Sequence, residues 1–234
     1  MKALITQREQ LDSHGVPIDV LESTYVKYFE QLGVDLFQLS NFTKNLDRIL
    51  DANTFDLIIL TGGGSIHSKF YREEHNDLSQ LNRDRLEWAL MECSLKNSIP
   101  ILAICRGMEY MNAFLGGKIT KFKALKESRL IGKEHDIILG DGTKISVNNY
   151  HNDGIFKNDI AKEFEIIGLD VENNVVEAMF SLKMKWLGIQ WHPERLMNDE
   201  FSKDKCNNLI QEFIRSGGII NESYYFSGRT RDET

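Results

Sequence analysis

Three stretches of this sequence combine residue types that can do chemistry. The first is "ILAICRGMEYMNAFLGG", residues 101–117, in which a small apolar run ends at Cys105. Arg106 and Gly107 follow, and then Met108, Met111, Phe114 and Leu115 at helical spacing. A thiol at a helix N-terminus feels the positive end of the dipole and the unpaired N–H groups, which favours its thiolate. Arg106 adds positive charge, and a sharp strand-to-helix elbow exposes the side chain it carries. A buried structural cysteine fits the same local sequence. The second stretch is "WLGIQWHPE", residues 186–194, an apolar strand ending in His192, with Pro193 blocking its continuation and Glu194 two residues on. A carboxylate on one ring nitrogen fixes the tautomer and leaves the other nitrogen for a nucleophile; a solvated turn is the alternative. The third is Thr61-Gly62-Gly63-Gly64, where glycines let backbone N–H groups approach a ligand. A tight strand-to-loop turn explains them as well. Thiol, base, orienting acid and N–H donors are together the parts of a nucleophilic hydrolase.

Such parts work only if the chain brings three strand ends together. The apolar patterning predicts strands over 2–6, 34–39, 55–60 and 101–104. Helices are predicted over 18–32, 46–52 and 78–96, with a further one after Cys105. Residues 55–60, "FDLIIL", form a continuous apolar run of the kind that a strand buried on both faces requires. Alternating strands and helices imply an α/β fold with an open, mostly parallel sheet flanked by helices, whose sites form at the carboxyl ends of the strands. After Gly116-Gly117 the texture changes. Short strands over 135–139, 144–148, 164–169, 175–180 and 186–191 predict an antiparallel β extension in the C-terminal half, with a hairpin turn at Asp141-Gly142. A helix over 201–215 closes the pattern. Residues 1–220 read as a single catalytic domain and 221–234 as a polar tail that frays.

Composition narrows the classes. A net charge of −7 and a pI near 5.4 supply no basic field for nucleic acid or an anionic membrane surface. The N-terminus does not read as a signal peptide, and no apolar stretch approaches the roughly 20 residues that span a bilayer. Cys93, Cys105 and Cys206 are an odd, widely spaced set without a CxxC motif, so neither a disulfide framework nor structural zinc is expected. These features predict a reduced, cytoplasmic protein with no metal and no cofactor. His14, His67, His75 and His135 read as surface or loop residues.

In this order, "LTGGG", "ICRGMEYMNAFLGG" and "GIQWHPE" resemble the class I glutamine amidotransferases. They are most similar to the stand-alone γ-glutamyl hydrolase branch, the group similar to γ-glutamyl-γ-aminobutyrate hydrolase. Asn112 with Gly116-Gly117 fits that branch, as does "VNNYHND", residues 147–153, where the family often has Val-Asn-Ser-x-His. The resemblance runs from Leu4-Ile5-Thr6 to the last helix. It implies that Cys105 attacks the γ-carbonyl of a glutamyl group, that His192 moves protons, and that Glu194 orients His192. It implies an oxyanion hole from the backbone N–H groups of Gly63 and Arg106, and a substrate surface including Gly62, Gly64, Glu109, Asn149, Tyr150 and His151. For His151 a structural role stands beside the substrate role. The sequence departs from the family at Glu109, where a Gln that holds the glutamyl head group is usual, and at Asn152-Asp153. A carboxylate at 109 accepts from an α-ammonium and repels an α-carboxylate.

The resemblance implies a small-molecule γ-glutamyl substrate and leaves a homo-oligomer open. Some bacterial members of the group free a nucleotide-linked phosphoramidate in capsule modification; the resemblance permits that role, and Lys69 and Arg72 in the loop 65–72 are candidates to meet its phosphate, while a solvated face accounts for them equally. Two other readings stand beside the stand-alone hydrolase. One is a glutaminase subunit that passes ammonia to a separate synthetase, and the other a catalytically silent binding protein on the same fold.

Overall fold

A computed structural model describes residues 1–122 and 131–224. Its centre is a sheet in the order β4-β1-β5-β6-β13-β12-β11-β8-β9. β1 (Lys2–Ile5), β4 (Asp35–Gln38), β5 (Leu57–Leu60), β6 (Ile101–Ile104) and β13 (Trp186–Ile189) run parallel. β12 (Val175–Ser181), β11 (Glu165–Asp170), β8 (Glu134–Leu139) and β9 (Lys144–Asn148) continue it antiparallel. This is the mostly parallel sheet with an antiparallel extension that the patterning implies. β5, β6 and β13 are buried at every position because helices cover both faces. Ile104, Leu102 and Leu187 pack with Tyr25 and Phe29 of α1 (Ser23–Gln31) and Phe213 of α5 (Glu200–Arg215). Leu60, Ala103 and Trp186 pack on the other side with α2 (Leu46–Ala52), α3 (Leu81–Asn97) and α4 (Arg106–Phe114).

The structure corrects the helix expected over 18–32. Its first part is a β-hairpin of β2 (Arg8–Leu11) and β3 (Pro17–Val20), and α1 starts only at Ser23. The hairpin turn is held by Asp12, whose Oδ1 accepts from the N–H groups of His14 and Val16 at 2.8 and 2.9 Å. Two further short strands, β7 (Thr120–Lys121) and β10 (Asp153–Phe156), pair with each other and tie the chain after α4 to the sheet through β12. His135 is also corrected. It is buried in β8 and lies 3.4 Å from Glu177, so it belongs to the interior and not to the surface. Residues 225–234 of the expected tail lie outside the described residues, and 222–224 form one 3-10 turn. Cys93, Cys105 and Cys206 are free and buried. Among the described residues no helix is long and apolar enough to cross a membrane, and no cluster of His, Cys, Asp and Glu is arranged to hold a metal ion.

Gly107 sets how closely α4 seats on the sheet. A Cβ there would lie 2.5 Å from the carbonyl oxygen of Leu60, a backbone atom that cannot move aside. In an exposed helix Gly→Ala stabilises by about 1 kcal/mol. Here the sign should reverse: Gly107→Ala should lower stability by about 1–3 kcal/mol through overpacking. A urea midpoint at or above that of the wild type would show that α4 can shift without cost.

Candidate active site

Cys105 is the single residue between β6 and α4, and its backbone lies at φ 53°, ψ −111°. That conformation is unusual for a side chain other than glycine and costs roughly 1–3 kcal/mol. It is held on both sides: the Cys105 N–H donates to Ile189 O at 2.8 Å, and Cys105 O accepts from Glu109 N at 3.1 Å. The kink lifts the thiol off the end of the central strand. β5 and β13 flank β6 in level register, so the loop after Leu60 and the segment after Ile189 emerge on either side of it. These segments carry Gly62-Gly63-Gly64 and His192.

The His192 imidazole and the Cys105 side chain converge on Gly62. A Cβ on Gly62 would lie 2.6 Å from His192 Cε1, 3.2 Å from His192 Nε2 and 3.3 Å from Cys105 Cβ. Only glycine leaves that space for the two side chains. His192 Nδ1 lies 2.6 Å from Glu194 Oε1, and both residues are buried. A Nδ1–H held by the carboxylate leaves Nε2 as the free acceptor on the thiol side. The backbone N–H groups of Gly63 and Arg106 both point to the Cys105 sulfur. Two donors converging there are also placed to receive an oxyanion formed next to it.

The thiol is not the ready thiolate that a helix N-terminus suggests. Burial pushes its pKa up, and the carboxyls of Glu109 and Glu194 add to this; the two N–H groups oppose it and lose. The Arg106 guanidinium gives little help because it is turned away into a buried ion pair with Glu87 and Asp84. Cys105 therefore stays neutral unless a base removes its proton.

The thiol borders a cavity of about 220 Å³ whose wall includes Gly63, Gly64, Glu109, Tyr150, His151 and Asp153. Glu109 accepts a 2.8 Å hydrogen bond from Gln190 Nε2. Burial, reinforced by the charge of Asp153, raises its pKa to about 8. Tyr150 sets its ring edge against His192, with centroids 5.8 Å apart. His151 Nδ1 lies 2.6 Å from Asp153 O. Asn149 is fully buried with its main chain bonded to Gly132 and Lys133, and it does not line this cavity. Of the two loop cations, Arg72 is committed to Asp159 through a two-nitrogen ion pair, and Lys69 lies over the Phe70 ring.

Several functional neighbours were not singled out from the sequence. Asn148, one position before the expected Asn149, clamps the His192 main chain: Oδ1 accepts from His192 N at 2.9 Å and Nδ2 donates to His192 O at 2.8 Å. Its place in "VNNYHND" was the available signal. Tyr25 lies beneath the site, accepting from Gly62 N at 3.1 Å and feeling the charge of Glu194. Arg8 packs on Gly63, and Glu22 bridges Arg8 to Arg195, which stacks on Tyr150. Nothing local in the sequence ties these positions to the site.

A nucleophile elbow at the centre of a mostly parallel sheet, with a His–Glu pair at the adjacent strand end, is the arrangement of the class I glutamine amidotransferase-like proteins. Residues 2–194 match the peptidase C26 family model, and the chain belongs to that family. It is similar to the glutamine amidotransferase-like protein YvdE of Lactococcus lactis, 26% identical over 222 residues that cover 86% of this chain and 90% of that one. It is also similar to the glutamine-hydrolyzing GMP synthase of Wigglesworthia glossinidia brevipalpis, 33% identical over 148 residues, which cover 54% of this chain and 28% of that one. The fold matches a glutamine amidotransferase crystal structure from Thermotoga maritima with a TM-score of 0.57 at 17% identity, over 92% of this chain and 95% of that one.

The raised thiol pKa has a direct readout. Alkylation of Cys105 by iodoacetamide should be slower at pH 7 than that of a free cysteine and should still be rising at about pH 9. A rate that reaches its plateau below pH 7 would mean a stable thiolate and contradict this electrostatic account.

Proposed function

We propose that this protein is a cysteine hydrolase that cleaves γ-glutamyl amide bonds on its own. The observation that carries the reading is the convergence of Cys105 and His192 on Gly62, with Glu194 behind the imidazole and two N–H groups at the sulfur. His192 Nε2 takes the thiol proton as sulfur bonds to the γ-carbonyl carbon. The carbonyl oxygen becomes an oxyanion held by the N–H groups of Gly63 and Arg106. The imidazolium returns the proton to the amide nitrogen, the C–N bond breaks, and the amine leaves a γ-glutamyl thioester on Cys105. Water then gives a proton to His192 and attacks the thioester; glutamate leaves and the thiol is restored. Glu194 keeps Nδ1 protonated and stabilises the imidazolium in both halves.

Purified protein should release glutamate faster from a substituted γ-glutamyl amide than from L-glutamine. Cys105→Ser and His192→Ala should each lose on the order of 10³–10⁶-fold in kcat. Release of glutamate by Cys105→Ser at the wild-type rate would end the reading. A glutaminase that feeds a separate synthetase is the second reading, favoured by the similarity to part of a glutamine-hydrolyzing GMP synthase. It predicts slow release from every amide until the partner is added.

Glu109 gives the reading a pH signature. Its raised pKa keeps it neutral through neutral pH, so it serves there as an uncharged partner for an anionic head group. As pH rises through about 8 it ionises and repels that group. For the wild type, kcat/KM with a γ-glutamyl amide should therefore fall above about pH 8, and Glu109→Gln should remove this limb while keeping activity at pH 7. An alkaline limb that persists in Glu109→Gln belongs to another group.

A further inference from the structure

Arg83 is fully buried on α3 and takes no part in the proton transfers described above. Its guanidinium grips the glycine loop at three successive carbonyls. Nη2 donates to Thr61 O at 2.5 Å, both Nη atoms reach Gly62 O at 3.3 Å, and Nη1 donates to Gly63 O at 2.7 Å. The remaining donors go to Thr61 Oγ1 at 3.0 Å, Gln80 Oε1 at 3.1 Å and Glu87 Oε1 at 2.8 Å. Burial lowers its pKa only to about 10, so it remains a cation at neutral pH.

The central bond of this set has a consequence for catalysis. The oxygen of Gly62 and the N–H of Gly63 belong to one planar trans peptide and point in opposite directions. Holding the Gly62 oxygen on the α3 side sends the Gly63 N–H to the other side, where the Cys105 sulfur stands. Gly63 itself sits at φ 80°, and glycine there has many other conformations to choose from. The loop is thus soft by composition and needs an external hold. The second N–H donor belongs to Arg106, whose guanidinium pairs with the other oxygen of the same Glu87. One ionic chain, Arg83–Glu87–Arg106, thereby links the two residues that supply the converging N–H groups.

We infer that Arg83 is a positioning residue: through its bonds to the Thr61, Gly62 and Gly63 carbonyls, and with Glu87 joining it to Arg106, it fixes the peptide plane that aims the Gly63 N–H at the reacting centre. The inference rests on the proposed hydrolase reading and adds to it the group that makes the oxyanion hole rigid.

The test uses Arg83→Lys, which keeps the charge and loses the fork, and Arg83→Ala with and without added guanidinium ion; thermal melts report folding. Loss of an aimed oxyanion donor should lower kcat for a γ-glutamyl amide by about 10²–10³-fold with KM changed little, and guanidinium should restore part of the loss in Arg83→Ala. Alkylation of Cys105 by iodoacetamide forms no oxyanion, so in Arg83→Lys it should lose only the thiolate stabilisation of one N–H: its pH profile should move upward and its rate should fall by less than about tenfold, well short of the loss in kcat. Equal losses in kcat and in alkylation would mean general damage and overturn the inference, as would an unchanged kcat in a folded Arg83→Lys. If the wild type releases no glutamate, the hydrolase reading fails by itself. Amide hydrogen exchange at Gly63 then decides: about tenfold or faster exchange in Arg83→Lys supports the hold, and unchanged protection sinks it.

Discussion

The backbone of Cys105 is the constraint on which the site depends. At φ 53°, ψ −111° the chain leaves a buried strand and enters a helix within one residue. Such a corner stores roughly 1–3 kcal/mol and persists only where its surroundings over-determine it. Here β5 and β13 fix the strand from both sides, Ile189 O accepts the Cys105 N–H, and Gly107 lets α4 come down onto Leu60. A relaxed corner would turn the thiol into the sheet and separate it from both the imidazole and the N–H groups.

Burial of the elbow decides the chemistry that is open to it. A dry environment favours the neutral thiol against the two N–H groups that would favour its anion. Reactivity then has to be created at the moment of attack, by a base within reach and by donors that gain strength as charge moves from sulfur to oxygen. In the proposed mechanism the base, His192, is held in place from the antiparallel half of the sheet. β13 delivers His192, and Asn148 at the end of β9 locks the His192 main chain from the far side of the extension. The strands beyond β13 thus help to fix the position of His192.

Much of this was legible because burial writes itself into composition. The runs at 57–60 and 101–104 are apolar at every position, which only a doubly covered parallel strand demands, and the residues that interrupt them mark the strand ends. The hairpin β2–β3 was hidden because Ile18, Val20 and Leu21 share helical spacing with Tyr25, Tyr28 and Phe29, while β2 reads "REQL" with no apolar alternation. The α3 network was hidden for a different reason. Arg83 and Glu87 at i, i+4 look like a solvated helix pair, and Asp84 beside them strengthens that impression, yet all three are buried. Local sequence does not show which face of a helix meets the site when that face is charged. His135 misled for the same reason, since its partner Glu177 lies 42 positions away in sequence.

The buried charges also explain how the site is divided. Arg83 and Arg106 face Asp84 and Glu87, so α3 and α4 carry a balanced set whose desolvation is offset by mutual pairing. Glu87 lies at its centre and also accepts from Thr6 at 2.7 Å, which ties the network to the end of β1. Glu9 of the hairpin caps α3 by accepting from the N–H groups of Asn82 and Arg83, at 3.1 and 3.4 Å. In the proposed mechanism the donors for an oxyanion thus come from the N-terminal half of the chain, and the proton carrier from the C-terminal half. Cys105, at the end of the central strand, and Gly62 beside it lie where the two meet. On that mechanism, loosening one half would remove charge stabilisation or proton transfer separately, whereas a shift of β6 would remove both.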